Sequence, residues 1–157
     1  MKIKLLVLGK TSENYIITGI TEYEKRIKKY ISYEMQVIPD LKNTKNLSQT
    51  LIKEREAEQL LNTFNNDDYI ILLDEQGKQF TSEAFAGFIQ NKMIYNTKNL
   101  IFVIGGPYGF APSIYNKAHE KISFSLFTFS HQIIRLIFME QLYRAFTIIK
   151  GEPYHHS

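Results

Sequence analysis

The chain has 157 residues, 44% hydrophobic and 22% charged, with 19 Lys and Arg against 16 Asp and Glu and no cysteine. This mix fits one globular domain with a sizeable core and excludes disorder, collagen-like repeats, coiled coils, disulfide scaffolds and thiolate chemistry. The longest apolar stretch, around Ile133–Met139, is broken by Arg135, well short of the roughly 20 apolar residues of a membrane span. Met1-Lys2-Ile3-Lys4 runs straight into a strand-like segment with no small-residue cleavage site, so no signal peptide and a cytoplasmic location are expected. The excess charge of +3 is unevenly placed: residues 1–60 hold 11 Lys and Arg against 8 Asp and Glu, and residues 61–157 hold 8 of each. A dedicated nucleic-acid module is usually more basic. The basic stretch reads first as a solvated helix face and second as a contact surface for a polyanion.

In chain order, Ile3–Leu8 reads as a buried strand ending at Gly9. Ser12 is the expected N-cap of a helix with Ile16, Ile20, Tyr23, Ile27 and Tyr30 or Ile31 inward and Lys25, Arg26, Lys28 and Lys29 outward. A strand over Glu34–Ile38 stops at Pro39, a polar loop follows, and Ser48 starts a helix with Leu51, Ile52, Leu60 and Leu61 as its apolar positions. Tyr69–Asp74 is a continuous apolar strand, with a turn expected at Gly77. Ser82 caps a helix to about Tyr95, and Asn99–Ile104 is a second apolar strand ending in Gly105-Gly106-Pro107-Tyr108-Gly109. Pro112 opens a short helix, Ile122–Ser125 is a short strand, and His131–Lys150 is the last helix, stopped by Gly151 and Pro153. This alternation predicts one α/β domain over residues 1–157, with a mostly parallel sheet and helices on both faces. Ligands of such sheets bind beyond the carboxyl ends of the strands. Leu73-Asp74, Gly105–Gly109 and Phe124–Phe129 are the candidate ends.

The glycine segment is neither the dinucleotide fingerprint nor a phosphate-cradling P-loop, and by itself it reads equally as a tight turn. His131 and Arg135 share a helix face at i and i+4. Arg135 and Arg144 lie on a helix apolar on most sides, one of which could face a second subunit. Cations there need partners, and an ion pair with Glu140 is the plain reading of both. Four histidines without cysteine, in no ligand spacing, give no basis for a metal site.

Taken together, several pieces resemble a known family. They are the Met1-Lys2-Ile3 strand, Thr21-Glu22-Tyr23-Glu24-Lys25-Arg26, Leu73-Asp74 with Gly77-Lys78, Ile104–Gly109, Phe124–His131, Glu140–Ala145 and Pro153-Tyr154-His155. In this order and over the whole length they resemble the RlmH type of SPOUT (α/β-knot) methyltransferases. The resemblance implies a C-terminal deep trefoil knot, which general folding rules alone would not predict. It implies S-adenosylmethionine as cofactor, with Leu73, Gly105, Phe124, Ser125, Leu126, Phe127, Thr128 and Phe129 lining its pocket. It also implies a homodimer whose sites are completed by the partner's tail. The implied substrate is a pseudouridine of large-subunit 23S rRNA, methylated at N3 in the assembled ribosome. One departure stands out: the family commonly has proline just before the histidine, where this chain has Ser130. Serine loosens the loop but can cap the final helix.

Methyl transfer from a sulfonium needs mainly orientation and electrostatics from the protein. The imide nitrogen must lose its proton, and an imidazole suits that task. His131 and His155 are the candidate bases, with His155 delivered by the partner. Tyr154 is placed to stack on the flipped base, and Arg135 or Arg144 to hold a phosphate or stabilise negative charge. Two rivals are weighed. A Rossmann-type nucleotide enzyme needs a glycine fingerprint after the first strand, where this chain has Gly9 alone. A ribosome-binding factor without catalysis needs the basic helix but not the glycine loop.

Overall fold

A computed structural model describes residues 1–156. Its sheet consists of β1 (Lys2–Leu8), β2 (Ser32–Ile38), β3 (Asp68–Gln79), β4 (Asn99–Ile104) and β5 (Glu120–Ser123). Every pairing is parallel, in the order β2-β1-β4-β3-β5. The helices are α1 (Asn14–Ile27), α2 (Gln49–Leu61), α3 (Ser82–Ile94), α4 (Pro112–Lys117) and α5 (Ile133–Ile149).

Side chains alternate across a strand with period two, and that alternation divides the core. Ile3, Leu5, Val7, Phe102 and Ile71 point to one face, where α1, α3 and α5 supply Ile16, Phe85 and Phe138. Leu6, Ile70, Leu72, Ile101 and Val103 point to the other, covered by α2 and α4 through Leu60 and Ile114. The α/β arrangement with helices on both faces is therefore as expected. Burial on both sides explains why the central strands read as continuous apolar runs.

Local details differ from the expectations. The N-cap of α1 is Glu13, without a side-chain cap bond, and the backbone N–H of Ser12 instead donates to Gln132 Oε1 at 2.9 Å. Ser48 caps α2 as expected, accepting from Leu51 N–H at 3.1 Å. In α2 the buried positions are Ala57 and Leu60, whereas Leu61 lies at the exposed margin. Thr81 rather than Ser82 caps α3, accepting from Ala84 N–H. Gly77 is not a turn but lies inside β3, which continues to Gln79 after a register irregularity between Leu73 and Lys78. Pairing with β5 carries the strand on. Among the described residues no helix is long and apolar enough to cross a membrane.

Candidate functional site

Strands β4, β3 and β5 are neighbours, so the segments leaving their carboxyl ends converge. Between them lies a cavity of about 550 Å³. Leu73 to Gln76 form one wall, Ile104 to Phe110 the second, and Ile122 to Ser125 with Phe127 to His131 the third. The cavity reaches down to Phe124, whose ring packs edge-on against Phe85 and Phe138, centroids 5.8 and 6.1 Å away, and so ties this wall to the core.

The glycine wall is built by close approach. A Cβ on Gly106 would sit 2.5 Å from Glu56 Oε2 and one on Gly105 would sit 3.0 Å from the Phe110 ring. Glu56 lies on α2 with Oε1 buried and unpartnered, and burial pushes its carboxyl above the usual range, with Asp40 adding to the effect. The loop wall is organised by serines. Ser123 Oγ donates to Ser125 O at 2.9 Å, and Ser125 Oγ accepts from Phe127 N–H at 2.9 Å. Ser130, at the position where the family commonly has proline, accepts from Ile133 N–H at 3.2 Å and opens α5.

Of the eight residues expected to line the cofactor pocket, Leu73, Gly105, Phe124, Ser125, Phe127, Thr128 and Phe129 border this cavity. Leu126 does not, and its side chain is 84% exposed. Of the five expected catalytic residues, His131 alone reaches the cavity rim.

Arg135 is fully buried. It donates from Nη2 to Leu8 O (2.8 Å), from Nη1 to Gly9 O (2.9 Å) and Thr11 Oγ1 (3.0 Å), and from Nε to His131 O (3.0 Å). These bonds use four of its five N–H groups, and the partners are three carbonyls and a hydroxyl rather than Glu140. Burial lowers the guanidinium pKa, against the opposing pull of Asp40. Gln132 reinforces the same junction by donating from Nε2 to Lys10 O. Arg135 and Gln132 thus clamp the segment after β1 to the start of α5.

Tyr154, His155 and Arg144 meet elsewhere, against α5 and α3 of their own chain. Arg144 pairs with Glu140, which holds its pKa up. Tyr154 Oη donates to Glu140 Oε1 at 3.1 Å, and its ring stands edge-on to Tyr143 with centroids 4.7 Å apart. Burial raises the Tyr154 phenol, and its contact with Tyr23 adds to this. His155 sits between Glu83 Oε1 (2.7 Å from Nε2) and Arg144 Nη1 (3.2 Å from Nδ1). Arginine only donates and a carboxylate only accepts, so the imidazole carries its proton on Nε2 and accepts on Nδ1. The bond to His155 holds the Glu83 carboxyl below its usual range. None of these tail groups borders the cavity of the same chain. Ser157, the last residue of the expected tail, lies outside the described residues.

Asp74 was legible as a candidate strand end, but its partner Tyr115 was not singled out from sequence. Asp74 and Tyr115 both border the cavity, and Tyr115 Oη donates to Asp74 Oδ2. They stand 41 positions apart, a pairing no local pattern announces. Around the cavity the charged side chains are Asp74 and Glu75, with no Lys or Arg. Such a site does not suit a nucleotide polyphosphate or dinucleotide, which needs compensating donors and cations. Among the described residues no group of three His, Cys, Asp or Glu could hold a metal ion.

A wholly parallel α/β sheet with a cavity enclosed by three loops beyond its strand ends defines a small-molecule-binding α/β protein. Residues 1–155 match the family described as Predicted SPOUT methyltransferase, and the chain belongs to the SPOUT methyltransferases. It is 54% identical to "Ribosomal RNA large subunit methyltransferase H" of Parabacteroides distasonis and 57% identical to the protein of that name in Phocaeicola vulgatus, over the whole of each chain. A solved structure, the A. aeolicus TrmH/SpoU tRNA modifying enzyme, superposes with a TM-score of 0.50 at 10% identity, covering 99% of this chain and 82% of the other. That likeness speaks for the fold alone.

Proposed function

We propose that the chain is the methyltransferase that places a methyl group on N3 of a pseudouridine in 23S rRNA. It takes the methyl from S-adenosylmethionine and works in the cytoplasm on the assembled ribosome. The observation that carries this reading is the full-length identity of 54–57% to proteins named for large-subunit rRNA methylation. The cavity supports the cofactor. S-adenosylmethionine has a net positive charge, and the charged side chains around the cavity are carboxylates. Leu73, Gly105, Phe124, Ser125, Phe127, Thr128 and Phe129 hold it, with backbone N–H and C=O groups for the adenine and Phe124 and Phe129 as apolar walls. The family also carries the expectation of a deep trefoil knot in the C-terminal half, where α5 packs against both α1 and α3.

When bound, the cofactor supplies a methyl group already activated as a sulfonium. The remaining work is to deliver the imide nitrogen in line and take away its proton. The tail of the partner subunit in a homodimer supplies the means. Its Tyr154 stacks on the flipped base, its His155 accepts the N3 proton at Nδ1, and its Arg144, released from that nitrogen as the base arrives, faces the developing negative charge. His131 remains at the rim as the cis candidate for the same proton. A dimer fits the uncovered apolar side chains of a single copy. On α1, Tyr15 is 65% and Ile17 40% exposed, and Leu126 and Phe127 are 84% and 80% exposed.

Mass mapping of 23S rRNA from cells lacking the protein tests the reading: one methyl should be missing from one pseudouridine. Complementation with a chain lacking residues 154–157 should leave the methyl absent, while the purified deletion binds S-adenosylmethionine like the parent. A fully methylated knockout overturns the substrate, and full methylation by the deletion overturns the role of the tail. Calorimetry separates the noncatalytic rival, since a ribosome-binding factor would not bind S-adenosylmethionine.

A further inference from the structure

We infer that Asp74, held by Tyr115, is the residue by which this pocket distinguishes the charged methyl donor from its neutral product. The inference rests on the proposed cofactor. It starts from the position of Asp74, the first residue beyond the apolar run of β3, next to Leu73 on the cavity wall.

Its carboxylate is fixed at both oxygens. Oδ1 accepts from Gln76 N–H at 2.8 Å, and Oδ2 accepts from the Tyr115 phenol. Tyr115 is in turn held on α4. Its ring stands edge-on to Phe110, centroids 5.9 Å apart, and Lys121 Nζ lies 5.3 Å from the ring centroid on the cation-binding face. Burial and the bond to Asp74 push the phenol up to about 12, so it stays a neutral donor over the whole working range of pH. Among the described residues no Lys or Arg forms an ion pair with Asp74. Its negative charge is therefore oriented but not neutralised, and it borders a cavity without a cation.

Transfer of the methyl converts a sulfonium to a thioether, so the ligand loses one positive charge while keeping nearly the same shape. Contacts with the adenine and ribose cannot separate the two. An oriented, uncompensated carboxylate can, because its attraction falls with that charge. The same residue would then favour loading of the donor and release of the spent cofactor, a gain that apolar walls do not provide.

The test is titration calorimetry of the parent, Asp74→Asn and Tyr115→Phe with S-adenosylmethionine and S-adenosylhomocysteine. Asp74→Asn keeps the size and, with its single amide oxygen, one of the two accepted bonds, while removing the charge. It should weaken the methyl donor about tenfold and leave the product within about twofold, collapsing the ratio between them. Tyr115→Phe should shift the ratio in the same direction by less, because the charge remains and only its placement is lost. Equal weakening of both ligands by Asp74→Asn, or no change in either, overturns the inference. A parent protein that binds neither ligand overturns the cofactor reading instead, so the two failures are distinct.

Discussion

Arg135 is a cation on a helix that buries most of its surface, and such a group is retained only where acceptors surround it. The three carbonyls and the hydroxyl that take its donors come from the end of β1, the segment after it and the start of α5. Replacing it with methionine keeps the length but leaves the buried carbonyls of Leu8 and Gly9 without those donors. Arg135→Met should therefore lose on the order of 3 kcal/mol of stability, read from urea denaturation midpoints. Arg135→Lys should fall between the two, because one ammonium cannot reproduce the planar fork. A methionine variant as stable as the parent would show that the clamp holds nothing. From sequence the plain reading paired both arginines with Glu140. It describes Arg144, four residues away on the same helix, and fails for Arg135, three of whose four acceptors lie more than 120 positions upstream. Backbone carbonyls leave no compositional trace, so a long-range clamp of this kind cannot be read from residue types.

At the scale of elements, the floor of the cavity depends on the seam between β3 and β5. Gly77 lies in that seam, and a Cβ there would fall 2.6 Å from the backbone N and C of Ile122. Backbone cannot rotate aside as a side chain can, so Gly77→Ala should force the two strands apart. Overpacking of this kind costs about 1–3 kcal/mol. Because β5 leads directly into the Ser125–Ser130 wall, the same change should weaken S-adenosylmethionine binding several-fold in calorimetry. Unchanged stability and affinity together would mean that the seam yields freely. The strands and helices themselves were legible, since continuous apolar runs and 3.6-residue spacing are local signals. The continuation of β3 past Asp74 was not, because its partner strand is about 45 positions away and the irregularity at Leu73–Lys78 interrupts the alternation. The cap positions shifted by one residue at α1 and α3, where two adjacent polar residues competed for one role. The cavity walls were legible because parallel sheets bind at their carboxyl ends. The destination of the tail was not, since its contacts with Glu83 and Tyr23 depend on how α1, α3 and α5 pack together.

For the whole molecule the question is how a chain with a net charge of only +3 finds ribosomal RNA. In the homodimer proposed above, recognition would fall to the combined surface of two copies. Two copies in that dimer would carry +6, with the excess of each arising in residues 1–60. Part of that excess is already committed within the chain. Lys2 and Lys4 pair with Glu34, Lys28 pairs with Glu24, and Arg26 lies 5.5 Å from the centroids of the Tyr23 and Tyr143 rings. Lys10, Lys29, Lys42, Lys45, Lys53 and Arg55 form no ion pair among the described residues, but they are divided between the α1 and α2 sides of the sheet, so one docked face presents only some of them to phosphates. Each phosphate neutralised contributes about 0.7–0.9 to the slope of log affinity against log salt. Binding to isolated large subunits, measured between 50 and 300 mM KCl, should therefore show a slope no steeper than about −3, which corresponds to roughly three or four phosphates. Affinity would instead depend on shape, so free 23S rRNA stripped of ribosomal proteins should bind far more weakly than the assembled subunit. A slope near −8, or equal binding to stripped RNA, would mean that phosphate contacts dominate and that the docking surface is more basic than the ion pairs of a single chain allow.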